Sequence, residues 1–210
     1  METFAHLAFT PSVRQVQSER GSRDAYARHE AADPPPGLDE REAAFLSAAD
    51  SLFLATVSET GWPYVQHRGG PAGFVKVLSP TRIAFADFRG NRQYVTAGNV
   101  RSDDRVALIV VDYPSRRRLK LLGRLRFHTL DEADPALLEA VRLPDYRARV
   151  EGVVTIDVEA FDWNCPQYIT PRFTEAQIAV AVRPLHARIA ELEAEVLRLR
   201  EASKPSDPSR

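Results

Sequence analysis

The chain is poor in the residues that would make several functions easy to assign. A single cysteine, Cys165, rules out an internal disulfide and any zinc site built from several thiolates. Five histidines, His6, His29, His67, His128 and His186, are scattered without His-x-His or His-Glu-x-x-His spacing, so no metal site is expected. No run approaches the roughly 18 consecutive apolar residues of a membrane-spanning helix, and the N-terminus carries no basic-then-apolar leader, so a cytoplasmic protein is expected. A formal net charge of −1 provides no global field to draw in nucleic acid or anionic lipid, and a basic site, if present, must be local. Lysine is scarce as well: among 28 basic residues only Lys76, Lys120 and Lys204 are lysine, which flags the first two as positions that either want a compact ammonium in place of a guanidinium fork or hold lysine by chance.

What remains is ordinary globular composition, 44% hydrophobic and 27% charged over 210 residues, enough for one core with dressed ends. Residues 1–37 read as an arm, with helix between Pro11 and Glu30 and the triplet Pro34-Pro35-Pro36 as a stop. Leu38–Asp50 reads as a short helix with acids in its first turn, where the helix dipole favours them, and with Phe45 and Leu46 facing inward.

From Ser51 the hydrophobic period changes to that of strands. Residues 51–57 and 62–68 flank a Ser-Glu-Thr-Gly turn. A third strand is expected from Gly73 to Leu78, a fourth over 83–87, a buried fifth over 104–112 and a sixth over 117–127 with a bulge at Gly123. A last strand over 152–158 leads into a loop from Phe161 to Arg172. Short turns between such strands indicate an antiparallel meander or barrel. Gly90–Arg101 reads as a helix whose N-terminus lies at or beside Asn91, where unpaired N–H groups and Arg92 would favour an anion. Towards the C-terminus, Leu185, Ile189, Leu192, Val196 and Leu199 recur at spacings of four and three, a short heptad seam compatible with self-association or with packing on the chain itself. Residues 203–210 carry the composition of a disordered tail.

Residues 51–172 resemble the flavoproteins related to pyridoxamine 5'-phosphate oxidase. The resemblance lies in Gly73-Phe-Val-Lys76, in Phe85-Ala-Asp-Phe-Arg-Gly-Asn-Arg-Gln-Tyr94, in Arg117-Arg-Leu-Lys-Leu-Leu-Gly123 and in Trp163-Asn-Cys-Pro-Gln167. It implies the split β-barrel fold; joined to the helices read above, the expected architecture is mainly β (α+β), a six- to seven-stranded antiparallel split β-barrel with flanking helices and a long C-terminal helix. The expected organisation is an arm over 1–37, the barrel over 38–173, the helix over 174–202 and the tail over 203–210. It further implies a homodimer that holds FMN in grooves lined by both subunits and acts on a small-molecule substrate, with no nucleic acid or membrane partner.

By the same resemblance His67, Arg68, Gly69 and Lys76 would line the phosphate-ribityl side or the adjacent substrate space. Asp87, Asn91, Arg92 and Gln93 would form the phosphate turn, Arg118 would approach the flavin ring, and Trp163, Asn164 and Gln167 would come from the partner subunit. The implied activity is an FMN-dependent oxidoreductase. A non-catalytic flavin-binding sensor, and a barrel using deazaflavin or heme, are alternatives; for the deazaflavin, Arg14, Arg20, Arg23 and Arg28 of the arm could supply a basic groove. Two departures from the family pattern speak against pyridoxamine phosphate as substrate. Pro71 stands where an arginine-containing strand motif would begin, and no arginine-rich segment follows Phe173.

Overall fold

A computed structural model describes residues 1–163 and 165–203. Asn164 and most of the expected tail lie outside the described residues. The chain divides into two compact units, Met1–Ile169 and Thr170–Arg210.

The first unit opens with three short helices, α1 (Phe4–Ala8), α2 (Pro11–Glu19) and α3 (Arg23–Glu30). Thr10 caps α2 and Pro11 takes its first position, where a missing N–H costs nothing. The single helix expected between Pro11 and Glu30 is instead two, because Gly21 adopts a left-handed φ of 73° and turns the chain. Helix α4 (Glu40–Ala48) follows, closed at its start by a reciprocal capping box between Asp39 and Glu42. Phe45 and Leu46 are buried as the pattern required.

Seven strands form one antiparallel sheet: β1 (Ser51–Val57), β2 (Pro63–Gly69), β3 (Lys76–Ser79), β4 (Arg82–Phe88), β5 (Arg105–Asp112), β6 (Arg117–Thr129) and β7 (Val150–Trp163). Their spatial order is β2-β1-β5-β6-β7-β4-β3, an open, strongly curved sheet with β2 and β3 at its ends. Helix α5 (Val95–Ser102) connects β4 to β5, and α6 (Pro135–Ala140) lies between β6 and β7. Alternation sorts the side chains. Leu52, Leu54, Val106, Leu108, Val110, Leu119, Leu121 and Leu125 point into one core with Phe74, Phe85 and Ile156. A smaller cluster of Ala84, Ala86, Ala133, Val141 and Val153 fills the space under α6.

The bulge at Gly123 is present: the β6–β7 register slips between Leu122 and Gly123. A Cβ on Gly123 would sit 2.4 Å from the Asp157 carbonyl oxygen, closer than any side chain is tolerated, so the strand crossing itself demands glycine.

Three boundaries differ from the sequence expectation. The third strand begins at Lys76, because Gly73 takes a φ of 87° in a turn closed by the Phe74 N–H to Pro71 carbonyl bond. Phe74 and Val75 are buried from that turn rather than from a strand. The last strand runs on to Trp163, since Phe161 and Trp163 continue the inward alternation and pair with Leu121 and Leu119. The helix expected from Gly90 begins at Val95.

The second unit is essentially one helix, α7 (Glu175–Ala202), started by a Thr174–Gln177 capping box and carrying Pro184 in its interior. None of its residues is buried.

Candidate functional site

Side chains of β2 that share one face, Tyr64, Gln66 and Arg68, meet the end of β4 and the start of α5 around a cavity of about 330 Å³. Arg68 donates from Nη1 to Asp87 Oδ1 at 2.6 Å. With the Gln66 amide oriented so that its oxygen faces the guanidinium, that oxygen accepts from Arg68 Nε at 2.6 Å, from Nη2 at 2.8 Å and from the Thr96 hydroxyl at 3.0 Å. Arg68 is therefore held by Asp87 of β4 and by Gln66 of its own strand, whose amide Thr96 in turn fixes.

The segment Gly90–Tyr94 forms the opposite wall. Asn91 Oδ1 accepts the Gln93 N–H at 3.1 Å, a side chain closing its own turn. Arg92 and Tyr94 both adopt left-handed backbone, φ 63° and 51°, a conformation uncommon for residues with a Cβ. Tyr94 is the N-cap of α5, and its side chain makes no cap bond. Val95, Thr96 and Ala97 line the cavity, so an uncapped helix start faces it. Asn91 is thus not at the helix terminus, as the sequence led one to expect, but four residues ahead of Val95 in the turn that delivers Arg92. Among the described residues, the Arg92 guanidinium is engaged only through Nε, to the Tyr94 hydroxyl at 3.4 Å. The same hydroxyl donates to Glu151 Oε2 at 3.1 Å, and Glu151 also faces Arg89 at 3.4 Å.

The cavity holds two guanidinium groups and two carboxylates. Burial pushes the Asp87 carboxyl above the ordinary aspartate range; Arg68 opposes that rise and Glu151 adds to it. At the cavity wall Asp87 serves as an anchor for Arg68.

A larger cleft of about 1210 Å³ shares Tyr94, Ala97, Phe127 and Glu151 with the cavity and continues along Val100 and Leu125. Together they offer a charged end and a broad, partly apolar body.

Of the residues singled out in the sequence, Arg68, Asp87, Asn91 and Arg92 meet at this cavity. His67 borders it, but its ring packs edge-on against Phe53, 5.6 Å between centroids, on the outer face of the sheet. Gly69 ends β2, and Gln93 is exposed beside the turn. Lys76 starts β3, and Arg118 lies near the far end of β6, opposite Val111 of β5. Among the described residues Arg118 Nε is buried with no hydrogen-bond partner, on the outer sheet face. Trp163 is fixed within its own chain: Nε1 donates to Glu42 Oε1 at 2.6 Å, Phe45 packs at 4.7 Å, and the Arg41 guanidinium lies 4.3 Å over the ring. Gln167 is exposed in the following turn. In the arm, Glu30 engages both Arg14 and Arg23.

Gln66, Tyr94, Thr96 and Glu151 were missed in the sequence. Gln66 had a signal, since it stands two residues from Arg68 and so shares its face. The others depend on the left-handed turn and on the β4–β7 register.

Residues 38–161, more than half of the chain, match the family model described as pyridoxamine 5'-phosphate oxidase. The chain belongs to that family. A search of curated proteins finds no match. Among solved structures, HupZ of Group A Streptococcus is 14% identical with a TM-score of 0.49, covering 65% of this chain and 99% of that one. An FMN-binding protein from Syntrophomonas wolfei is 11% identical, TM-score 0.47, with 72% and 97% covered. A pyridoxamine 5'-phosphate oxidase-related, FMN-binding protein from Nostoc punctiforme is 15% identical, TM-score 0.39, with 59% and 78% covered. The open antiparallel sheet with flanking helices is consistent with the split barrel of the oxidase family. No helix among the described residues is long and apolar enough to cross a membrane.

Proposed function

We propose that the chain is an FMN-binding flavoprotein of oxidoreductase type that works as a homodimer. The observation that carries this reading is the convergence of Arg68, Arg92, Asn91 and the uncapped start of α5 on one cavity that opens into the apolar cleft. The donor set fits a phosphate monoester. Asp87 is already engaged by Arg68, and Glu151 by Tyr94 and Arg89, which leaves the Nη donors of Arg92 and the N–H groups of α5 for an incoming anion. The apolar cleft walls suit the flat ring.

When bound, FMN would supply the two-electron chemistry, as flavins do. The chain's own groups bind and orient: Arg92 clamps the phosphate, Arg68 braces the cavity wall, and Phe127 and Leu125 exclude water from the ring side. The dimer is supported by an uncovered apolar sheet face. Phe53, Val57 and Val65 are 38%, 39% and 60% exposed, and His67 and Arg118 lie on that same outer face. An apolar surface of that kind marks an interface. Arg118, whose buried Nε has no acceptor among the described residues, and Lys76, Trp163 and Gln167, which lie outside the cavity, would then contribute across the subunit boundary or at its rim.

The visible absorption spectrum of the purified protein, recorded before and after anaerobic addition of NADH or NADPH, tests the reading. A flavin spectrum that bleaches supports an oxidoreductase. A flavin spectrum that persists makes it a binding protein, and a protein that takes up no FMN on titration refutes the assignment.

A further inference from the structure

Helix α7 carries an apolar seam that its own unit leaves bare. Leu185, Ile189, Leu192, Val196 and Leu199 are 62%, 52%, 43%, 46% and 63% exposed. Their spacing assigns Ile189 and Val196 to the a positions of a heptad and the three leucines to d. β-Branched residues at a with leucine at d favour two parallel strands over three or four. The seam lies C-terminal to Pro184, which falls at an outward c position and interrupts the backbone ladder just before the seam begins.

The flanking charges identify the second strand. Arg188 and Glu195 occupy g positions, and Glu193 and Arg200 occupy e positions. In a parallel, in-register pair of identical helices, each g residue faces the e residue five places further on in the other copy. That sets Arg188 against Glu193 and Glu195 against Arg200, both attractive. A slip of one heptad sets Arg188 against Arg200 and Glu195 against Glu193, both repulsive. Within a parallel pair of identical helices the charges therefore select one register. In the isolated helix Arg188 falls back on Glu191 at 2.9 Å, an exposed pair that is readily exchanged.

We propose that residues 185–199 form a parallel two-stranded coiled coil with a second copy of the same chain. Two heptads are short for an independent coil. A dimer formed through the sheets would raise the local concentration of one helix at the other and make up that deficit.

The test uses the full chain with Cys165→Ser, which removes the exposed native thiol. Under mild oxidation, Leu199→Cys at a d position should form the interchain disulfide at least tenfold faster than Ala194→Cys, which lies at an outward f position. In the Leu199→Cys chain, Arg188→Glu should slow the link severalfold, and adding Glu193→Arg should restore it. Equal rates for Leu199→Cys and Ala194→Cys, or no recovery in the double exchange, overturn the proposal. Flavin absorbance read on the same samples keeps this outcome separate from the cofactor assignment: coloured protein with unselective linking defeats only the coiled coil.

Discussion

The guanidinium of Arg68 and the carboxylate of Asp87 meet at 2.6 Å although their strands lie at opposite ends of the sheet order, β2 at one edge and β4 next to the other. The sheet is not closed by backbone bonds, and this ion pair bridges the opening from the inside. It also forms one wall of the proposed phosphate cavity, so the contact that ties the ends of the sheet together shapes the ligand site.

Arg68→Ala should leave Asp87 partly buried without its cation. The native pKa of Asp87 is already above its ordinary value, so the proton favours the folded state; that contribution is present at low pH and is lost as pH rises through the native pKa. Removing Arg68 raises the native pKa further. The stability penalty of Arg68→Ala, measured by urea unfolding, should therefore be larger at pH 7 than at pH 4, and adding Asp87→Asn should remove most of that difference. A penalty that does not change with pH would show that Asp87 does not depend on Arg68.

Arg92→Ala should weaken FMN binding by about 1.5–3 kcal/mol, the range for hydrogen bonds to charged groups, with little effect on stability because the side chain is exposed. Fluorescence titration with FMN measures the loss. Unchanged affinity would move the phosphate elsewhere.

Gly123→Ala should destabilise by about 1–3 kcal/mol, since its Cβ would meet the Asp157 carbonyl oxygen at 2.4 Å. Gly98→Ala, in α5 with nothing within 4 Å of the new Cβ, should instead stabilise by about 0.5–1 kcal/mol. Denaturant midpoints of the two variants should shift in opposite directions.

Trp163→Phe removes the donor to Glu42, a carboxylate only 3% exposed, and should cost about 1.5–3 kcal/mol of stability. Glu42 keeps its bond to the Asp39 N–H at 3.1 Å, so α4 should remain folded by circular dichroism. A variant as stable as the parent would show that this bond contributes little.

Much of the scaffold was legible because it is written in period two: β1, β5 and β6 announce themselves by alternating leucines and valines, and Gly123 by interrupting one. The capping acids before Phe45 and the heptads of α7 were equally plain. The misplaced start of α5 has a physical reason. Tyr94 in the left-handed region ends the turn, and nothing in the identity of a tyrosine announces a positive φ. The end of β7 was misread because the polar and aromatic residues and two prolines of 161–172 suggested a loop from its start, whereas Phe161 and Trp163 still pair with Leu121 and Leu119. Within the candidate site, Arg68, Asn91 and Arg92 could be named from sequence. That Asp87 braces Arg68 could not, because the pairing spans nineteen residues and depends on how far the sheet curls.

The open order of the sheet leaves β2 and β3 each with one unpaired flank. β3 is four residues long, and β2 begins at Pro63, which has no N–H to offer an incoming strand. Neither rim is a good template for cross-β growth, so prolonged heating should produce amorphous precipitate from unfolded chains rather than thioflavin-positive fibrils seeded by the native state.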